Sequence, residues 1–244
     1  NDGDKLQMTI ESFINQDYEN KELLVIDGLS TDSTTEICKK YQNVISVYVS
    51  EKDSGIYDAW NKGLKFSKGE WITFLGAGDR FFRNDTITNL IESFNLQNSN
   101  FISGIIYLED KRNNFAGKLG KEWNLKALKN NINIGHPGSM HHRSLFKLHG
   151  NFNVNYQISG DYEFLLRASK SISAKFYPYY VVKMDNLGLS NTKPFKAIFE
   201  SAMAMRSNKE FGLYLSLRYT LLSVVKLMIK KLIINNFIIK KLNQ

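Results

Sequence analysis

A single cysteine, Cys38, is all the thiol chemistry the chain carries, so an internal disulfide is excluded and a cytoplasmic setting is the simplest expectation. Cys38 falls in a helical pattern and reads as a small core residue rather than a nucleophile. Residues 1–10 lack the basic region and long apolar run of a signal peptide, and a chain that starts at Asn1 rather than Met reads as a fragment. No glycine-rich dinucleotide fingerprint follows any predicted strand, which sets aside a nicotinamide-dependent oxidoreductase. His136, His141 and His142 lie close together but lack the helical spacing of a zinc pair, and no cysteine is near them. His136, beside Pro137, is expected to shape a loop facing an acceptor.

Acids are missing from residues 211–244, where six cations stand: Arg218, Lys226, Lys230, Lys231, Lys240 and Lys241. The whole chain is only +8, so its body is near neutral, which argues against nucleic acid as a partner and for a local anionic surface. The longest uncharged run in this tail, 232–239, is far shorter than the roughly 20 residues of a bilayer span, so spanning is not expected. At about 100° per residue, all the tail cations except Lys231 fall within an arc of roughly 140°. That pattern fits an interfacial amphipathic helix at the inner face of the plasma membrane, or a helix packed on the domain with solvated lysines.

What is present is a body of 43% apolar residues, enough for a globular core, in which strand and helix patterns alternate. Helices are expected over 5–15, to about Tyr41, over 57–66, 86–94 and 161–170, and from Pro194; strands over 23–27, 44–49, 71–75, 101–108 and 176–183. Phe101–Leu108 is apolar on both faces and so central. The alternation predicts an α/β fold with a mainly parallel central sheet flanked by helices. A loop-rich stretch over 109–142 is expected on the acceptor side, with residues 1–205 forming one domain and 206–244 the helical tail.

Three carboxylates end strands or open helices, where open α/β sheets place ligands. Asp27 closes Leu23-Leu24-Val25-Ile26 and could accept hydrogen bonds from a nucleobase or ribose, while Asp32 reads as a helix cap. Asp79 follows Phe74-Leu75-Gly76-Ala77-Gly78, either an exposed turn or a site for Mg²⁺ or Mn²⁺ on a diphosphate. Asp161 opens a helix with Glu163 nearby, either a capping acid or a general base within reach of a hydroxyl. Between them, the charged loop 50–63 surrounds Gly55 and suggests the wall of a polar cleft.

Taken in succession, Gln16-Asp17-Tyr18, the stretch Asn20 to Gly28, Ser30-Thr31-Asp32-Ser33-Thr34, Gly55-Ile56-Tyr57-Asp58-Ala59-Trp60-Asn61-Lys62-Gly63 and Gly69-Glu70-Trp71-Ile72 strongly resemble the family 2 glycosyltransferases, over roughly residues 5–190. The resemblance implies a GT-A-like fold. It also implies inverting transfer of a hexose from a nucleoside-diphosphate sugar, usually a UDP-sugar, to a glycan or lipid-linked acceptor in bacterial cell-surface polysaccharide synthesis. It assigns the donor side to Asp27, Ser30, Asp53, Asp58 and Asn61, a divalent cation to Asp79, and the catalytic base to Asp161. Gly76 and Gly78 stand where the family's metal motif is often acidic. The strand and Pro-Thr-Tyr-Asn-like turn that usually frame the base are absent before the first helix, so a destabilised or inactive chain is expected unless they stand upstream. The alternative is a catalytically inactive nucleotide- or glycan-binding remnant of such an enzyme.

Overall fold

A computed structural model describes the backbone of residues 1–94, 96–128, 134–186, 188–208 and 211–242, with the side chains of 189, 230, 231 and 233–242 left out of the description. Helix α1 (Gly3–Ile14) precedes strand β1 (Leu23–Asp27), α2 (Thr34–Lys40), β2 (Ile45–Ser50), α3 (Ile56–Phe66), β3 (Trp71–Ile72), β4 (Arg80–Phe81) and α4 (Thr86–Glu92). Then come β5 (Phe101–Glu109), β6 (Phe115–Leu119), α5 (Leu125–Leu128), a 3₁₀ turn at His136–Gly138, β7 (Ser139–His142), α6 (Arg143–His149), α7 (Gly160–Ala168), β8 (Ala174–Asp185), α8 (Leu189–Thr192), α9 (Pro194–Ser207) and α10 (Gly212–Leu242).

Strands β1 and β2 pair in parallel as a sheet of their own, and the larger sheet runs β3-β7-β5-β8-β4, with β6 also on β5. Strand β8 follows the full length of β5 in parallel, so β7 and β6 share the opposite edge, each antiparallel to half of it. The α/β class stands, and β5 is central as its two-sided apolar pattern requires. The expectation of a mainly parallel sheet is corrected to a mixed one: β3–β7, β4–β8, β5–β6 and β5–β7 are antiparallel. The physical reason is length, since β3 and β4 have two residues each, too little apolar pattern to declare a direction.

Alternation along β5 puts Phe101 in one apolar cluster and Ile102 in another, so the sheet has a core on each face. The first cluster joins Leu64 of α3, Phe146 of α6, Phe164 and Leu165 of α7 and Met205 of α9. The second joins Phe13 of α1, Ile87 and Leu90 of α4 and Val181 of β8. His136 and His141 sit inside the first face, both buried. The His136 ring stacks on Trp60 at 4.6 Å between centroids, inside the core.

Phe211, just before α10, and Tyr219 on it belong to the first cluster, and Ser216 of α10 is buried, so the first part of the expected tail packs on the domain. Its segment Gly212–Ile229 has a mean hydropathy of 1.3 and, by length and composition alone, would suffice to cross a membrane, with Arg218 and Lys226 inside it. Lys230, Lys240 and Lys241 belong to the expected cationic stripe, and their side chains lie outside the described residues, as do the side chain of Lys231 and the 129–133 part of the expected acceptor loops.

Candidate active site

Asp27 ends β1 and is buried, which by itself would raise its pKa. Hydrogen bonds from the Ser30 side (backbone N–H at 3.1 Å) and the Ser50 hydroxyl at 2.7 Å outweigh burial and hold the carboxyl below its ordinary value. The turn that brings Ser30 back has Leu29 at φ 65°, a conformation unfavourable for a branched side chain. Gly28 lets the Asp53 carboxylate approach: a Cβ there would lie 2.4 Å from Asp53 Oδ2 and would push that side chain aside. Asp27, Ser30 and Asp53 are thereby brought into one corner, with Asp53 also accepting the Gly55 N–H.

Helix α3 starts at that corner. Asp58, in its first turn, accepts the Ser54 N–H at 3.0 Å and lies 3.7 Å from Lys62 Nζ; the Ser54 bond comes first among the causes that lower its pKa. Asn61 has another task. Its amide nitrogen donates to the Phe152 carbonyl and its oxygen accepts the Phe152 N–H, each at 2.9 Å, so both ends of the side chain are committed to the 152–159 loop rather than turned to a donor.

That loop leads into α7 and Asp161. Two bonds end on Asp161 Oδ1, from the Tyr162 N–H at 2.8 Å and the Tyr57 hydroxyl at 3.1 Å. The Tyr57 proton is shared with the Ile158 carbonyl at 2.7 Å. Burial is the dominant influence on Asp161 and raises its pKa, with the two bonds opposing it. Gly160 makes the arrangement possible, since a Cβ would stand 2.7 Å from the Tyr57 ring. Glu163 is not a second site acid: it forms a two-pronged pair with Arg167, one turn on, at 2.9 and 3.1 Å.

Asp79 stands in the turn between β3 and β4, against α1. Its Oδ2 accepts the Gly76 N–H at 2.8 Å, and Thr9 of α1 accepts the Gly78 N–H. Burial pushes its pKa up to about 7, and the Asp185 charge adds to this while Arg80 and Lys5 oppose it. Among the described residues no group of three His, Cys, Asp or Glu side chains could hold a metal ion. The donor set still fits a divalent cation shared with a diphosphate, because one carboxylate plus phosphate oxygens suffices for Mg²⁺ and a cation would relieve the crowding of Asp79 by Asp185.

Sequence reasoning did not assign roles to Tyr57 or Glu200. Tyr57 stands inside a quoted motif, so its signal was available; a glutamate in mid-helix carries none.

The Glycosyl transferase family 2 profile matches residues 1–150, well over half of the chain. The chain belongs to glycosyl transferase family 2. This family 2 chain is 30% identical over 198 residues to a PGL/p-HBAD biosynthesis glycosyltransferase of Mycobacterium bovis, covering 77% of the chain and 74% of that relative. Among solved structures it superposes on S. aureus TarS 1–349 with UDP-GlcNAc bound, at a TM-score of 0.64 and 15% identity over 84% of the chain. The chain spans 63% of that structure. A mannosyltransferase of Pyrobaculum calidifontis, solved with GDP-Man and Mn²⁺, gives a TM-score of 0.64 at 14% identity over 93% of the chain and 72% of its own length. These likenesses establish a GT-A-type glycosyltransferase fold.

Proposed function

We propose that this chain transfers a hexose, with inversion, from a nucleoside-diphosphate sugar, UDP-linked, to a hydroxyl of a glycan or lipid-linked acceptor in cell-surface glycan assembly. The observation that carries this reading is Asp161, a desolvated carboxylate at the start of α7 with its Oδ1 fixed by Tyr57 and Tyr162. A raised pKa brings a carboxylate nearer the working pH and makes it a better base than an exposed aspartate. Asp161 takes the proton of the acceptor hydroxyl as the acceptor oxygen bonds to the anomeric carbon and the bond from that carbon to the diphosphate breaks on the opposite face. The products are the β-extended or α-extended glycan of inverted configuration, the nucleoside diphosphate and a protonated Asp161. Asp27, Ser30 and Asp53 suit the nucleoside, since a carboxylate held in its ionised form accepts from base or ribose donors. Asp79 would hold a divalent cation, whose charge when bound offsets that of the diphosphate.

The relatives support the donor and acceptor classes by their names. TarS was solved with UDP-GlcNAc, and a Methanococcus voltae protein 36% identical over 92 residues is named as a transferase acting on a dolichyl N-acetylglucosaminyl phosphate. Membrane contact belongs to the same reading. On α9, Phe195, Phe199 and Met203 are exposed at helical spacing, and on α10 Leu213, Leu217, Leu221 and Met228 are exposed as well. With six cations and no acid over 211–244, this surface suits an anionic bilayer at the cytoplasmic face. Docking of Phe211, Ser216 and Tyr219 onto the core favours a helix lying on the membrane over one crossing it.

The deciding experiment measures nucleoside diphosphate release with a panel of UDP-sugars, with and without Mn²⁺. One donor should support release, and Asp161→Asn should lower kcat by about 10²–10⁴-fold while sparing donor binding. Wild-type turnover in that variant would refute the assignment. Donor binding without release from any sugar would instead favour a binding remnant. For the membrane, sedimentation with phosphatidylglycerol vesicles should be lost when residues 211–244 are deleted, and unchanged sedimentation would refute the contact.

A further inference from the structure

On α9 one carboxylate is placed where no surface role can explain it. Glu200 is 5% exposed, and its two oxygens accept the N–H groups of three consecutive residues: Gln157 at 3.1 Å, Ile158 at 2.8 Å and Ser159 at 3.0 Å. Successive backbone N–H groups turned to one point form a concave cradle for an anion, and here the chain supplies that anion itself. Its neighbour Ser201 meets the Ser159 hydroxyl at 3.0 Å, that hydroxyl also reaches the Ala197 carbonyl, and Lys196 bonds the Gln157 side chain. Asp161 follows two residues after Ser159. Ile158 is therefore held from both sides, its N–H by Glu200 of α9 and its carbonyl by Tyr57 of α3.

We propose that Glu200 is the positioning residue of the general base, fixing the 157–159 segment so that Asp161 presents its carboxylate at one place and in one orientation. The proposal rests on Asp161 acting as that base. Glu200 does not touch substrate; it acts through the backbone it gathers and through its charge, which favours the protonated form of Asp161. Of the other ionisable groups, Tyr57 on α3 bonds Asp161 directly, Lys196 on α9 bonds the Gln157 side chain, Tyr156 on the incoming loop feels the charges of Glu163 and Glu200, and Glu163 on α7 is already paired with Arg167.

The test is the pH dependence of kcat/KM in the full chain, with UDP binding measured alongside. Glu200→Gln keeps the volume but removes the charge and turns an amide toward N–H donors. It should lower kcat by about tenfold or more through misplacement of the base. It should also move the acid limb of the profile to lower pH and leave UDP affinity within about twofold, since the donor-side acids are untouched. Glu200→Asp keeps the charge with a shorter reach, so it should lower kcat with the acid limb in place. An unmoved acid limb in folded Glu200→Gln overturns the proposal. If that variant does not fold by circular dichroism, wild-type kcat in Glu200→Asp overturns it instead. Asp161→Asn is run in parallel: transfer surviving there would mean that the base assignment had failed, whatever Glu200 does.

Discussion

His136 and His141 are the residues whose protonation folding forbids. Burial holds both below the ordinary histidine range, His141 at about 3 and His136 further depressed by His141 beside it. A group whose folded pKa is depressed contributes its stability above the unfolded value and loses it as pH falls. Below about pH 6.5 the unfolded chain takes up protons that the folded one refuses. Each ring then costs about 2 kcal/mol by pH 5. Asp79 works with the opposite sign. Its folded pKa of about 7 stands above the unfolded value near 3.8, so its contribution is complete below pH 3.8 and is lost as pH rises to about 7. From these three groups, thermal stability should peak at about pH 7. Asp79→Asn should raise Tm at pH 8, and His141→Phe should flatten the fall below pH 6, both readable by calorimetry. A Tm that rises steadily from pH 6 to 9 in the wild type would contradict the burial of Asp79.

Among elements, α3 joins distant parts of the chain, bonding the 152–159 loop through Asn61 and Asp161 through Tyr57. Its sequence announces a helix through apolar spacing, and so do α1, α7 and α9, because the pattern that marks them is local. Asp27 and Asp161 were also legible, the one closing an apolar strand and the other opening a helix. What could not be read was partnership across distance. Asn61 meets Phe152 over 91 residues and Glu200 meets Ser159 over 41, and neither side chain differs in pattern from a solvated one. For the same reason the direction of β3 and β4 was hidden: their pairing with β7 and β8 is set by the sheet, not by two residues. Asn61→Ala removes both bonds to the Phe152 backbone and leaves that peptide unsatisfied, which should cost about 1–3 kcal/mol in chemical denaturation. A loss well below that range would mean that water replaces the amide.

At the scale of the molecule, the two sheets share no ladder among the described residues. The β1–β2 pair that carries Asp27 is joined to the rest through side chains, including Glu22, just before β1, which accepts the Lys68 and Gly69 N–H groups. Side-chain contacts open at less cost than a continuous ladder, so amide hydrogens of β1 and β2 should exchange faster than those of β5 and β8. Equal protection of the two sheets would contradict this.

Helix α3 spans that seam as a lever. Its first turn holds Asp58 and Tyr57 side by side, one turned to the Ser54 loop and the other to Asp161. A nucleotide that steadies the 53–58 loop therefore also steadies the tyrosine that orients the base. If Asp161 is the base, as proposed, binding should be ordered with the donor first, and product-inhibition kinetics showing random binding would contradict it.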